Sequence, residues 1–461
     1  MPCVLGVDSS TQSTKVEARD ADSGRLLGHG WAPHPATTPP RSEQDPEVWR
    51  TALVAARAEV GPLGESTAVS VAAQQHGLVV LDTAGEVIRP AKLWNDTESA
   101  PDADWLAGRL EGGAAGWAAA CGSVPVAAFT VTKLSWLHRT EPDAFARIAH
   151  VMLPHDWLAW RVSGRLATDR GDASGTGYWS PATGEYRLDL LEIVDGALDW
   201  ASVLPPVLGP EAATGTGDNM AAALGLGLRP GDVAMSLGTS GTVFAVSETP
   251  TADPTGAVCG FADATGRFLP LVCTLNATKV TDATAHLLGV DLPELDDMAL
   301  SVPAGCGGIV FVPYLDGERT PNRPDATGTI SGLRSDLARE QVARSAFEGV
   351  VCGLLDGLDA LRAAGVPTDG GRLFLVGGGA RSTAYRQVLA DLAQRPVVVS
   401  TEDEPVALGA CVQAAARVSG APIGDVQDAW ALGMGTTVDP TLGPDAAAEV
   451  RAAYASARDA G

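Results

Sequence analysis

The chain reads as an α/β protein made of two related halves. Strand-like and helix-like segments alternate along most of its length, and the strand–turn–strand motif that opens it returns near the middle. The opening copy is Val4-Leu5-Gly6-Val7-Asp8-Ser9-Ser10-Thr11-Gln12-Ser13-Thr14-Lys15, and the second is Val233-Ala234-Met235-Ser236-Leu237-Gly238-Thr239-Ser240-Gly241-Thr242. In both, a tight turn of hydroxyl and glycine residues leaves backbone N–H groups free to hold phosphate. At 461 residues the chain is also too long for one ordinary core, and two or three domains are expected.

The first half opens with Cys3–Val7 and Thr14–Ala18 as paired strands, and Arg25–His29 follows as a third after the Asp22-Ser23-Gly24 turn. A helix starts at Asp45-Pro46-Glu47, where Asp45 suits the N-cap and Pro46 the first helical position. Thr67–Ala72 is strand-like and runs into Gln74-Gln75-His76-Gly77, after which Leu78–Leu81 resumes the strand. Helical spacing of Trp and Leu marks Asp102–Leu110, Thr132–Arg139 and Asp156–Val162. Leu224–Gly231, punctuated by glycine and holding a Pro-Gly turn, is the expected joint.

The second half begins at Asp232 with the repeated motif. Asn276–Leu288 is expected to be helical and Ile309–Val312 a strand. Glu340–Ala364 is a long helix with apolar residues three or four apart, and Leu373–Val376 a buried-type strand ending in Gly377-Gly378-Gly379. Ser382 or Thr383 caps the next helix, Pro396–Ser400 is another strand and Pro405–Arg417 another helix. The expected division is an N-terminal domain over 1–224, a C-terminal domain over 232–420, and a peripheral segment over 421–461 with a helix near its end.

Composition narrows the function. A net charge of −24 opposes nucleic-acid binding, which rests on cationic contacts to phosphate. With 45% hydrophobic and 19% charged residues, the chain belongs among soluble globular proteins. No run of 18 apolar residues predicts a membrane span, and the start carries no basic stretch followed by an apolar one, so the cytoplasm is expected. The cysteines are odd in number, seven, and form no C-x-x-C pair, which argues for reduced thiols over zinc or disulfides.

Phosphoryl transfer needs donors around the phosphates, a held metal, an in-line acceptor and a group to take its proton. No Gly-Lys-Ser or Gly-Lys-Thr occurs, nor the protein-kinase motifs, so any use of ATP is of another kind. Asp8, at a strand end before three hydroxyl residues, is placed to hold Mg²⁺ through water, or else to start an Asx turn. Lys15 reaches a phosphate or is a surface cation. Gly377-Gly378-Gly379 between strand and helix allows close backbone approach to a nucleotide, or is a plain tight turn. Asp218, between Gly217 and Asn219, is a candidate base or a helix N-cap, and Asp172 in its small-residue loop is a rival base. Gln74-Gln75-His76-Gly77 and Trp94-Asn95-Asp96 offer hydrogen-bonding and aromatic groups to a polyol, or are packed strand ends. Asp316–Asn322 is a polar loop.

Taken in order, these signals resemble the FGGY carbohydrate kinases from about Val4 to about Ala416. The resemblance rests on Gly6-Val7-Asp8-x-x-Thr11, Gln75-His76-Gly77, Gly217-Asp218-Asn219, Ser236-Leu237-Gly238-Thr239-Ser240-Gly241, Tyr314-Leu315-x-Gly317-Glu318-Arg319-Thr320-Pro321 and Gly377-Gly378-Gly379-Ala380. It implies two ribonuclease-H-like domains of the actin-like ATPase type, with a central cleft that closes on substrate. It further implies Asp218 as catalytic base and Asp8 as the acid that helps place Mg²⁺. Gln75, His76 and Asn219 then bind the sugar, while Thr11, Lys15, Thr239, Gly378 and Gly379 serve ATP. Asp172 falls to the sugar-side loop.

The implied reaction is phosphorylation of D-xylulose at its 5-hydroxyl, with ribulose, gluconate or glycerol as alternative acceptors. From another class, an actin-like ATPase clamp needs the phosphate hairpins but no sugar residues. The expected partners are a sugar and ATP, and a homodimer is possible. Two departures stand out: Ser10 replaces a frequent glycine, and Gln75 a frequent methionine.

Overall fold

A computed structural model describes residues 2–61 and 66–460. The strands used below are, in chain order, β1 (Cys3–Ser9), β2 (Ser13–Asp20), β3 (Leu26–Pro33), β4 (Ser66–Ala73), β5 (Gly215–Gly217), β6 (Val233–Leu237), β7 (Gly241–Ala245), β8 (Phe268–Thr274), β9 (Leu373–Val376), β10 (Val397–Ser400) and β11 (Gly435–Val438). The helices are α1 (Pro46–Glu59), α2 (Pro154–Ser163), α3 (Arg170–Ala173), α4 (Asp218–Gly225), α5 (Arg339–Ala363), α6 (Thr383–Ala393), α7 (Pro405–Ser419) and α8 (Pro444–Ala460).

The chain packs as two compact units, each assembled from three separate stretches. The first holds Met1–Leu228, Ser247–Leu269 and Glu404–Gly433; the second holds Arg229–Val246, Pro270–Asp403 and Met434–Gly461. The compact units thus differ from the contiguous segments read from sequence. The cause is visible in α7, a helix of small apolar residues that finds its surface on β1 and β4 of the first unit.

In the first unit the sheet order is β5-β4-β1-β2-β3. Strands β1 and β2 run antiparallel, as do β2 and β3, whereas β1, β4 and β5 are mutually parallel neighbours. One face is filled by Leu5, Val7 and Val16 together with Trp49 of α1 and Trp157 of α2, whose rings meet edge-on at 6.1 Å. The α1 start follows its sequence signal: Pro46 opens the helix, and the Asp45 carboxylate accepts from the Glu47 N–H. On the other side α7 lies close because Gly6 has no side chain; a Cβ there would stand 2.0 Å from the Ala407 carbonyl oxygen. Helices α4 and α7 cross just as tightly, since a Cβ on Gly409 would stand 1.8 Å from the Ala221 oxygen.

The second unit repeats the plan. Its strands follow the order β8-β7-β6-β9-β10-β11. Here β6 is antiparallel to β7 and β7 to β8, while β6, β9 and β10 are parallel neighbours. The first five strands of each unit therefore share one order and one set of directions, and the repeated motif is the β1–β2 hairpin in one and the β6–β7 hairpin in the other. Ser382 caps α6 by accepting from the Tyr385 N–H. The last segment is integrated: β11 pairs with β10, and α8 is tied to α5 through Arg451 and Arg458 on Asp356. All seven cysteines are free thiols. Among the described residues no single helix is long and apolar enough to cross a membrane.

Candidate active site

In the first unit the parallel strands β1, β4 and β5 end at one edge of the sheet. Asp8 pairs in register with Ala72, and Ala72 with Thr216. Asp8, Gln74-Gln75-His76 and Asp218-Asn219 therefore emerge side by side at the carboxyl ends of three adjacent strands. Open α/β sheets bind their ligands at such an edge.

Asp218 is the first residue of α4, and Gly217 occupies the N-cap, so the carboxylate is not the helix cap that its sequence position allowed. Its Oδ1 accepts from the Asn219 backbone N–H at 2.7 Å and from Asn219 Nδ2 at 2.8 Å. The same Nδ2 reaches Gln75 Oε1 at 3.4 Å, which joins three of the expected site residues. Burial pushes the Asp218 pKa up to about 6 against the pull of the Asn219 hydrogen bonds. A carboxylate of that proton affinity is ionised at neutral pH yet basic enough to accept a proton.

Gln75 is buried against Gly217, where a Cβ would come within 2.7 Å of its side chain. Its Nε2 finds no acceptor among the described residues. A buried amide of this kind takes its partner from water or from a bound ligand. His76 sits at φ 69°, an uncommon conformation for a non-glycine residue that sequence could not reveal. Its Nδ1 donates to the Gly175 carbonyl at 2.7 Å, and its ring lies 5.0 Å from Phe129 and 5.5 Å from Phe261.

Asp8 is buried, with Oδ1 lacking a hydrogen-bond partner among the described residues and Oδ2 3.9 Å from Lys15 Nζ. Burial raises its pKa to about 7; Lys15 counters this, while Asp218 and Glu404 add to it. Lys15 itself donates to Glu404, so its charge is committed inside the unit. Glu404 was not singled out in the sequence; its only signal is an acidic run after a strand. Thr11 Oγ1 accepts from Trp94 Nε1 at 2.8 Å and lies 3.5 Å from Gln74 Oε1, linking the first hairpin turn to the strand-end cluster. Ser10 is not among the non-glycine residues at positive φ, so its replacement of glycine costs no backbone strain.

Other candidates resolve as structure. Asp172 is fully buried beside His155, out of reach of an alcohol. Asp96 is consumed by Lys92 and by the Ser42 N–H. Glu318 accepts from the Leu275 N–H and from Asn276 Nδ2, pinning its loop within the second unit.

In the second unit the turn at Gly238-Thr239-Ser240 and the glycine run after β9 come together, because β6 and β9 are parallel neighbours. A Cβ on Gly379 would press on Leu237 and Thr278 at 2.8 and 2.9 Å. At Gly378 it would meet nothing, and Thr239 is exposed. The turn thus offers open backbone beside an exposed hydroxyl.

Residues 3–246 match the N-terminal domain of the FGGY family of carbohydrate kinases, and residues 233–418 its C-terminal domain. The chain is 46% identical over 458 residues to the xylulose kinase of Streptomyces coelicolor, covering 95% of this chain and 92% of that one. It is 35% identical to the xylulose kinase of Haemophilus influenzae, covering 89% and 90%. The crystal structure of xylulose kinase from Bifidobacterium adolescentis superposes with a TM-score of 0.87 at 41% identity, covering 99% of both chains.

Proposed function

The chain belongs to the FGGY family of carbohydrate kinases, and we propose that it transfers the γ-phosphoryl group of ATP to the 5-hydroxyl of D-xylulose. It is a sugar kinase, and ATP is its phosphoryl donor. Xylulose is the acceptor named for relatives that cover most of the chain. The observation that carries the assignment of roles is the Asp218–Asn219–Gln75 constellation at the strand edge.

Asp218 accepts the proton of the sugar 5-hydroxyl as that oxygen bonds to the γ-phosphorus. The bond between the γ-phosphorus and the bridging oxygen breaks, and ADP leaves. Asn219 holds the carboxylate from both its backbone and side chain, so the base is aimed before substrate arrives. Gln75 and His76 bind sugar hydroxyls. Thr11 belongs to the first phosphate turn, Thr239, Gly378 and Gly379 to the second, and Lys15 favours the ionised form of Asp8 against burial.

The orphaned Oδ1 of Asp8 fits Mg²⁺ held through water. When bound, the ion neutralises charge on the phosphates. The test is a panel of ketoses and polyols in a coupled ADP-release assay, run with the parent protein and D218A. D-xylulose should give the highest kcat/KM, and D218A should lose sugar phosphorylation while still binding ATP. A better acceptor than xylulose overturns the specificity. ATP hydrolysis indifferent to both sugar and substitution would favour an ATPase clamp instead.

A further inference from the structure

Beneath the strand that presents Asp218 lies a buried charged cluster that the mechanism above does not use. His155 of α2 is 2% exposed, and Asp172 of α3 is fully buried. His155 Nδ1 stands 3.0 Å from Asp156 Oδ1 and 3.5 Å from Asp172 Oδ2. Among the described residues neither Asp172 oxygen accepts a close hydrogen bond, so its charge rests on this pairing. The His155 ring also abuts β5, where a Cβ on Gly215 would lie 2.6 Å from Nε2.

The turn that carries Asp172 holds two expected site elements at once. Asp169 Oδ2 accepts the Thr216 hydroxyl at 2.7 Å, two residues before Asp218. The two Asp169 oxygens also take the Gly171 and Asp172 N–H groups. At the far end of the turn, the Gly175 carbonyl accepts from His76 Nδ1. A shift of this turn would therefore move the base strand and the His76 ring together.

We infer that His155 is a positioning residue for phosphoryl transfer: by bridging Asp156 and Asp172 it holds the 169–175 turn against β5, and so fixes Asp218 and His76 relative to each other. This rests on the reading of Asp218 as the base. Buried carboxylates persist only when paired. Burial alone would strip the proton from His155, but the two carboxylates overcome it and push its pKa up to about 10. The pairing thus favours the charged ring against burial, which suits a strut between the two carboxylates.

The experiment is steady-state kinetics with D-xylulose on H155Q, H155K, H155Q/D172N and T216V, beside D218N, with the folded state checked by circular dichroism. H155Q should lower kcat at least tenfold with the ATP KM within twofold. H155K, which keeps the cation, should recover to within threefold of the parent, and H155Q/D172N should exceed H155Q. T216V, which loses only the hydroxyl tether, should lower kcat three- to tenfold, and it carries the test if H155Q does not fold. An unchanged kcat in folded H155Q, an H155K no better than H155Q, or an unchanged T216V overturns the inference while D218N is still inactive. If D218N keeps its rate, the base assignment falls, and the positioning role with it.

Discussion

Lys15 Nζ donates to the carboxylate of Glu404, which lies 389 positions further along the chain. The pair sits beside Asp8, whose second neighbour is Asp218 by charge. Asp8 and Glu404 thus share one lysine, which pulls the Asp8 pKa down against burial. K15M should push the Asp8 pKa above its value of about 7. At pH 7 the variant should lose about tenfold in kcat/KM, with partial recovery at pH 8.5 as Asp8 ionises. In K15M/E404Q, where one acid is gone, the loss at pH 7 should shrink. A pH profile of K15M parallel to that of the parent would refute this link.

Asp218 must be ionised to accept a proton, and its pKa is raised to about 6. With Asp8 near 7 as the second group, the acid limb of kcat/KM for the sugar should therefore bend between about pH 6 and 7 and fall with a slope above one below pH 6. Stability should run the other way. A carboxyl whose folded pKa exceeds its unfolded one stabilises the fold while protonated and loses that contribution as pH rises through the folded value. D218N should accordingly melt level with the parent only below about pH 4, slightly above it at pH 5 and furthest above it at pH 8. Equal Tm differences at pH 5 and pH 8 would refute the burial cause.

The α4–α7 crossing sets where α4 begins, and hence where Asp218 stands. A methyl on Gly409 would collide with backbone, not with a yielding side chain. G409A should cost about 3 kcal/mol in urea unfolding, at the upper end for overpacking. A loss under 1 kcal/mol would mean that the helices slide apart freely.

The two glycines of the second turn should separate cleanly. G378A places a methyl where nothing stands, so Tm should hold while the ATP KM rises about tenfold. G379A presses on Leu237 and Thr278 and should lower Tm even without nucleotide. Equal thermal effects from both would contradict the distinct environments of the two positions.

Much of this was legible before any coordinates. The repeated hairpin announced the shared strand order, because strand alternation and turn chemistry are local. Asp45-Pro46 and Ser382 marked helix starts through side-chain bonding one turn away. Asp8, Gln75, Asp218 and Asn219 stand out in the sequence through motif order, and the register of β1, β4 and β5 brings them to one edge. What was hidden depends on long-range packing. Glu404 has no local sign of meeting Lys15, and His155 none of meeting Asp172, since both pairs are made by the fold. The positive φ of His76, whose ring bonds Gly175 ninety-nine positions away, likewise has no local sign in the sequence.

The chain passes from one compact unit to the other five times, at the boundaries after Leu228, Val246, Leu269, Asp403 and Gly433. No single cut can therefore release either unit as an autonomous fragment. A gene truncated after Leu228 encodes β1 and β4 without the helix that shields them, and its product should be insoluble or degraded. Recombination between relatives is constrained for the same reason: crossovers must come in matched sets, so the two units are inherited as one.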